Sequence, residues 1–263
     1  MDIITRNFFQ LLQSGVQTEH QPVEPMSAFK WRRLGQMAHV QHVEDLAVKG
    51  MARLDATERE TIPQDFLTDA APTEVSEMKP TLSNRLLNSR LKRIREKELH
   101  AIDTNRGALD LLDIIVATVS SMLNHGTMLR GLLQLGSYLR TKGDKVDFVK
   151  LDRWLSKLHM RRMAQLQGSM LIAVFQFSQD EVPFVSRVEP NAYKLVMRSV
   201  AHTANDTAEE WHFRQNRSGF VTNNSTLLRR NLRRSLRYLA YAPIETVSNY
   251  FNNFARSLQE IEE

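Results

Sequence analysis

The chain contains no cysteine, which excludes disulfides, thiolate nucleophiles and cysteine-ligated metals. Glycine and proline are scarce, at 10 and 8 of 263 residues, so few positions force regular structure to break. No stretch alternates apolar and polar residues for more than a few positions, which removes the usual signature of strands. The longest apolar run, residues 109–123, carries Asp110 and Asp113 and is expected to fall short of a membrane span. The first residues, with Asp2 and Arg6 among the apolar ones, lack the basic segment of a signal peptide, and a cytoplasmic protein is expected. Walker A, G-x-G-x-x-G, G-x-S-x-G and H-E-x-x-H motifs are all missing.

What remains is helical periodicity. An all-α array of about nine or ten helices is expected. Helical segments are predicted over residues 3–13, 27–39, 40–54, 82–102, 106–124, 129–142, 147–158, 160–177, 190–200, 227–241 and 243–261. Pro243 suits a first-turn position. Residues 55–80 differ in character, with Pro63, Pro72 and Pro80 in an acidic, threonine-rich stretch that Ile62, Phe66 and Leu67 can anchor. The expected organisation is an N-terminal helical segment 1–54, a linker 55–80 and a main helical domain 81–263.

The stretch 129–158 reads as a helical hairpin. Leu129, Leu132, Leu133, Gly136 and Leu139 share one face, Gly143 can end the helix, and Asp147 can cap the next one. Phe148, Leu151, Trp154, Leu155 and Leu158 supply its apolar stripe. The same stretch holds Gly136-Ser137 followed by Asp144 and Asp147, residue types that nucleotidyl transfer uses to grip a triphosphate and two metal ions. The D-x-x-D spacing would send the two carboxylates to opposite faces of a strand. Gly136-Ser137 also lies inside a helix pattern, so no catalytic residue is assigned. The histidines offer no better centre. His39 and His42 stand beside Glu44 and Asp45, and Glu209 with His212 forms a lone E-x-x-H where a di-metal bundle needs two. No metal and no cofactor is assigned.

Charge is unevenly spread. Residues 1–80 carry 8 basic against 12 acidic groups, while residues 81–263 carry 27 against 18, so −4 stands beside +9. Two basic runs stand out. In residues 227–241, Leu228, Leu232, Leu236 and Leu239 form a stripe expected to be buried. Arg229, Arg230, Arg233, Arg234 and Arg237 fill the rest of that helix and are candidate nucleic-acid or anion-binding residues, with Tyr238 and Tyr241 available for stacking. The alternative is a solvated arginine face, or one that pairs with the acidic linker. Residues 85–97 hold six cations against Glu96. A membrane-surface role is set aside because the leucines are needed for a core.

Three phrases carry a family resemblance: NFFQLLQSGV near the start, GTMLRGLLQLGSYLR followed by VDFVKLDRWLSKL, and RSLRYLAYAPIETVSNYF near the end. Over roughly half of the chain they resemble the helical regions of a bacterial family of uncharacterised nucleotidyltransferases. That family's Gly-Ser turn and Asp-x-Asp strand would stand ahead of the hairpin, where residues 82–124 are helix-patterned throughout. The resemblance therefore implies a helical shell without the transferase core. The leading expectation is a non-catalytic accessory protein that binds a protein partner or itself. Nucleic-acid binding through the arginine-rich helices is the alternative, and a divergent nucleotidyltransferase the second alternative.

Overall fold

The computed structural model describes residues 1–16, 20–63, 66, 80–124, 126, 128–201 and 236–259, with side chains of the last helix described as far as Ala255. Every regular element among the described residues is helical, so the expected all-α class holds. The chain divides into two compact units. One joins residues 1–77 with 194–215, and the other joins 78–193 with 216–263.

The N-terminal unit contains α1 (Ile3–Val16), α2 (Ala28–Val40), α3 (Glu44–Met51) and the single turn α4 (Ala56–Arg59). Phe8, Leu11 and Leu12 of α1 are fully buried with Trp31 and Leu34 of α2. Helices α1 and α3 cross backbone against backbone. A Cβ on Gly15 would overlap the Leu46 carbonyl oxygen, and one on Gly50 would overlap the Leu11 carbonyl oxygen. Ser27 starts α2 in extended conformation but lends it no side-chain hydrogen bond, and Phe29 is 71% exposed. Asp55 and Glu58 form a capping box around α4, and Phe66 packs edge-on against Trp31 at 5.2 Å between ring centres.

The second unit is assembled around α6 (Arg106–Asn124), against which α5 (Arg85–Leu99), α7 (Leu129–Lys142), α8 (Phe148–Lys157), α9 (Arg161–Phe175) and α10 (Pro243–Gln259) all pack. Nineteen residues make α6 long and apolar enough to cross a bilayer, longer than its apolar run suggested. It is the core helix of this unit instead. Leu111, Leu112, Ile115, Val116, Val119 and Met122 are fully buried, and Asp113 accepts two hydrogen bonds from Arg95 at 3.0 and 2.6 Å.

The hairpin forms as its spacing predicts. The Asp147 carboxylate accepts the Lys150 amide at 2.9 Å, and Leu151, Trp154 and Leu155 are buried. Gly143 ends α7 without entering the left-handed region (φ −55°), and a 3-10 turn (Gly143–Lys145) carries the chain to Asp147. Gly126 does adopt positive φ, at 72°, where α6 ends. Residues 192–201 are helical, close to the predicted 190–200, and Pro243 opens α10 as expected.

Two leucines of the expected buried stripe in 227–241 are described, and both face water: Leu236 is 58% and Leu239 36% exposed. The neighbours Tyr238 and Tyr241 are the buried ones, so this turn is rotated relative to its leucine pattern. Leu86 and Leu99 of α5, and Ile102 beyond its end, are likewise exposed. There Leu87, Leu91 and Ile94 already cover α6, leaving the leucine-rich pattern wider than the face it can bury.

Candidate polyanion surface

Asn84 caps α5 by accepting the Leu87 amide at 3.0 Å, which sets the rotation of the helix. With Leu87, Leu91 and Ile94 turned to the core, the run of cations divides. Arg95 points inward to Asp113 and to the Pro80 carbonyl, whereas Arg85, Arg90, Lys92, Arg93 and Lys97 face water beside Glu96. On α8, burial of Leu151, Trp154 and Leu155 leaves Arg153 and Lys157 outside.

Two side-chain bridges join these helices. Arg90 donates to the Lys157 carbonyl at 3.0 Å, and Lys150 reaches Glu98 at 3.1 Å. The middle of α5 therefore lies beside the end of α8, and the end of α5 beside the start of α8, so the two run in opposite directions. Arg93 and Lys97 fall between the bridges on one helix and Arg153 on the other. Among the described residues, Arg85, Lys92, Arg93, Lys97, Arg153 and Lys157 make no ion pair.

Not every nearby cation is available. Lys150 is held by Asp103 (3.0 Å) and Glu98. Its hydrogen bond to Asp103 is the main reason its ammonium titrates above the ordinary lysine range, and the same bond holds Asp103 below the usual carboxylate range. Arg161 pairs with Asp152, and Arg140 pairs with Glu181 at 2.7 Å while lying 3.8 Å above the Phe177 ring. Arg162 sits 5.7 Å from the centre of the Tyr241 ring. What α5 and α8 offer jointly is a strip of unpaired cations in which Glu96 is exposed while Asp152 and Asp103 are taken up by Arg161 and Lys150, a surface suited to repeated phosphates.

Of the five arginines singled out by sequence, Arg229, Arg230, Arg233 and Arg234 lie outside the described residues, as do Glu209 and His212. Arg237 is half-buried beside Tyr238. The basic run 85–97 was visible in sequence. Its partner on α8 was not, because Arg153 and Lys157 are ordinary helix cations until Arg90 brings them alongside.

The transferase-like residues serve structure. Gly136 lies within α7, and a Cβ there would come 2.6 Å from the Phe177 ring, leaving no room for a phosphate. Asp147 is engaged as a cap, and Asp144 lies in the 3-10 turn. His39 pairs with Glu44 at 2.7 Å. A second group, His20, Asp55 and Glu58, places ligand-type atoms within 4.8 Å of one another. Its central carboxylate already accepts the Val23 and Asp55 amides at 3.0 Å each and contacts His20 at 2.7 Å, so it fastens residues 20–26 to α4. Burial pushes the Glu58 carboxyl up, but the hydrogen bonds from His20, Val23 and Asp55 and the charge of His20 outweigh it and hold the group below its ordinary 4.5.

Comparison with protein families, with curated proteins and with solved structures finds no match to this chain.

Proposed function

We propose that the protein is a nucleic-acid-binding accessory protein, which binds the phosphate backbone along the α5–α8 strip. The observation that carries this reading is the set of unpaired cations on two bridged helices, Arg85, Lys92, Arg93 and Lys97 on α5 and Arg153 and Lys157 on α8. The arginines of residues 229–237 extend the same charge in sequence, and the absence of cysteine agrees with a cytoplasmic setting. The resemblance to helical regions of nucleotidyltransferases fits an accessory role in nucleic-acid chemistry.

The test is fluorescence anisotropy with labelled single- and double-stranded oligonucleotides across a salt series. Engagement of five or so phosphates predicts an affinity that falls about 100-fold for a single strand and about 500-fold for a duplex between about 50 and about 200 mM salt. The triple variant Arg93→Glu, Lys97→Glu, Arg153→Glu is expected to lose at least about tenfold in affinity. Binding that ignores salt, or that survives the triple variant unchanged, rejects the reading.

A second reading, self-association, is favoured by α10. Ile244, Val247 and Phe251 are exposed on one face at spacings of three and four, with Phe251 61% exposed. The opposite face is fastened inward by Glu245 and Asn249. Sedimentation equilibrium tests it: a dimer that Phe251→Glu dissociates supports self-association, and a concentration-independent monomer rejects it.

A further inference from the structure

The start of α5, the end of α6 and the inner face of α10 enclose a cleft of about 220 Å³. Its wall includes Ser83, Ser120, Asn124, Asn249, Asn252 and Asn253, and among the described residues no charged side chain lines it. The hydroxyl of Ser83 donates to Asn249 Oδ1 at 2.9 Å, and Asn252 donates to the Ser83 carbonyl at 3.0 Å. Asn253 donates to Asn124 Oδ1 at 3.2 Å. These bonds orient the amides and define what is left over. Asn249 is only 3% exposed, yet no described residue accepts from its Nδ2. Asn252 and Asn253 keep their Oδ1 atoms as acceptors. The cleft thus presents one donor and two acceptors on one helix face.

The ligand chemistry follows from what the cleft refuses. The Glu245 carboxylate accepts the Ser83 and Asn84 amides, the latter at 3.1 Å, so the start of α5 is already occupied by an anion. The volume lies below the roughly 300 Å³ at the small end of pockets for drug-sized molecules, which suits one ring system. Neutral, planar rings with donors and acceptors along one edge are nucleobases, and asparagine amides are well matched to such edges. Arg85 follows the cleft directly, and the exposed cations as far as Arg93 lie within about 12 Å of it along the helix.

We infer that this cleft binds an unstacked nucleobase at the end of a strand whose phosphates run along α5 and α8. The inference rests on the nucleic-acid reading, but its test does not. Uncharged nucleosides do not use the cationic strip, so each of adenosine, guanosine, cytidine and uridine is titrated while the side-chain amide signals of Asn249, Asn252 and Asn253 are followed by NMR. One nucleoside is expected to shift these signals saturably, with an affinity that does not change with salt. Asn252→Ala, at the exposed rim, is expected to weaken that binding about fivefold or more, and Asn249→Ala to abolish it if the variant keeps its fold. Absence of any shift, or binding that Asn252→Ala leaves intact, overturns the inference even if oligonucleotides bind. Nucleoside binding without oligonucleotide binding would retain the cleft and reject the strip. Deoxynucleosides run in parallel separate an RNA-type from a DNA-type ligand through the 2′-hydroxyl.

Discussion

The two units treat their cations and their glycines differently. In the N-terminal unit Arg6 pairs with Glu24, Arg53 donates to the Ser14 carbonyl and Arg59 to the Ala52 carbonyl, so these guanidinium groups hold the fold together. In the second unit Arg95, Arg140 and Lys150 do the same work; exposed cations occur in both units, but in the second they gather on the outer faces of the bridged α5 and α8, whereas Arg33 and Lys49 of the first stand on different helices. Glycine shows a parallel contrast. Gly15 and Gly50 let two backbones touch, whereas Gly136 makes room for the Phe177 ring. A backbone carbonyl cannot move without unwinding its helix, while a ring can tilt. The contrast separates groups that are fully committed to the fold from groups the fold leaves available, and function is sought among the latter.

The sharpest way to break this comparison is to add one methyl group. Gly15→Ala or Gly50→Ala forces α1 and α3 apart and is expected to cost about 3 kcal/mol or more, enough to unfold the N-terminal unit at moderate denaturant. Gly136→Ala is expected to cost about 1–2 kcal/mol, because the Phe177 ring and Leu171 can shift. Denaturant midpoints check both, and equal losses at the two places would remove the distinction between backbone and side-chain contact.

Charge reversal probes the same contrast on the functional side. The triple variant on α5 and α8 is compared with Arg33→Glu plus Lys49→Glu, two exposed cations of the N-terminal unit that stand on different helices. Oligonucleotide affinity is expected to change less than about threefold in that control, against at least about tenfold for the triple variant. Similar losses in both would mean that net charge, and not the bridged strip, drives binding.

Much of the fold was legible in sequence because its signals are local. The Asp147 cap, the Pro243 start and the stripes of α6, α7 and α8 depend on residues within a turn or two of one another. The α1–α3 crossing was not legible, since Gly15 near a helix end reads as an ordinary stop and nothing in sequence ties it to Gly50. The exposure of Leu86 and Leu236 was also hidden, because a leucine pattern says that a face is apolar and not how much of it a neighbour covers. Half of the strip was visible as the run 85–97. Its inward member, Arg95, and its partners on α8 depend on tertiary placement. For the cleft the sequence does carry a signal: Asn249, Asn252 and Asn253 crowd a helix that asparagine disfavours, which asks for a reason beyond propensity.

A pH series sharpens the comparison through carboxylates. The folded pKa of Glu58 is depressed, so its contribution to the N-terminal unit is present above the ordinary value of 4.5 and is lost as pH falls through the depressed one. Glu181 in the second unit follows the same rule. Burial raises its pKa, but hydrogen bonds from Arg140 and Ser178 and the charge of Arg140 bring it below 4.5. Glu58→Gln is expected to flatten the acid loss measured for the N-terminal unit, and Glu181→Gln that for the second. A variant that leaves its own unit's pH profile unchanged would show that the carboxylate titrates alike in folded and unfolded chains.

The smallest expected effect concerns Gly143, where the comparison predicts no penalty. A Cβ there meets nothing within 4 Å, and the backbone at φ −55° and ψ −39° is open to any residue. Gly143→Ala therefore costs nothing in the folded hairpin and removes freedom from the unfolded chain, a stabilisation of about 0.5 kcal/mol. Thermal unfolding of the variant checks the sign. A loss instead of a gain would mean that the link between α7 and α8 uses the glycine's freedom in a conformation other than this one, and that the hairpin is a moving part.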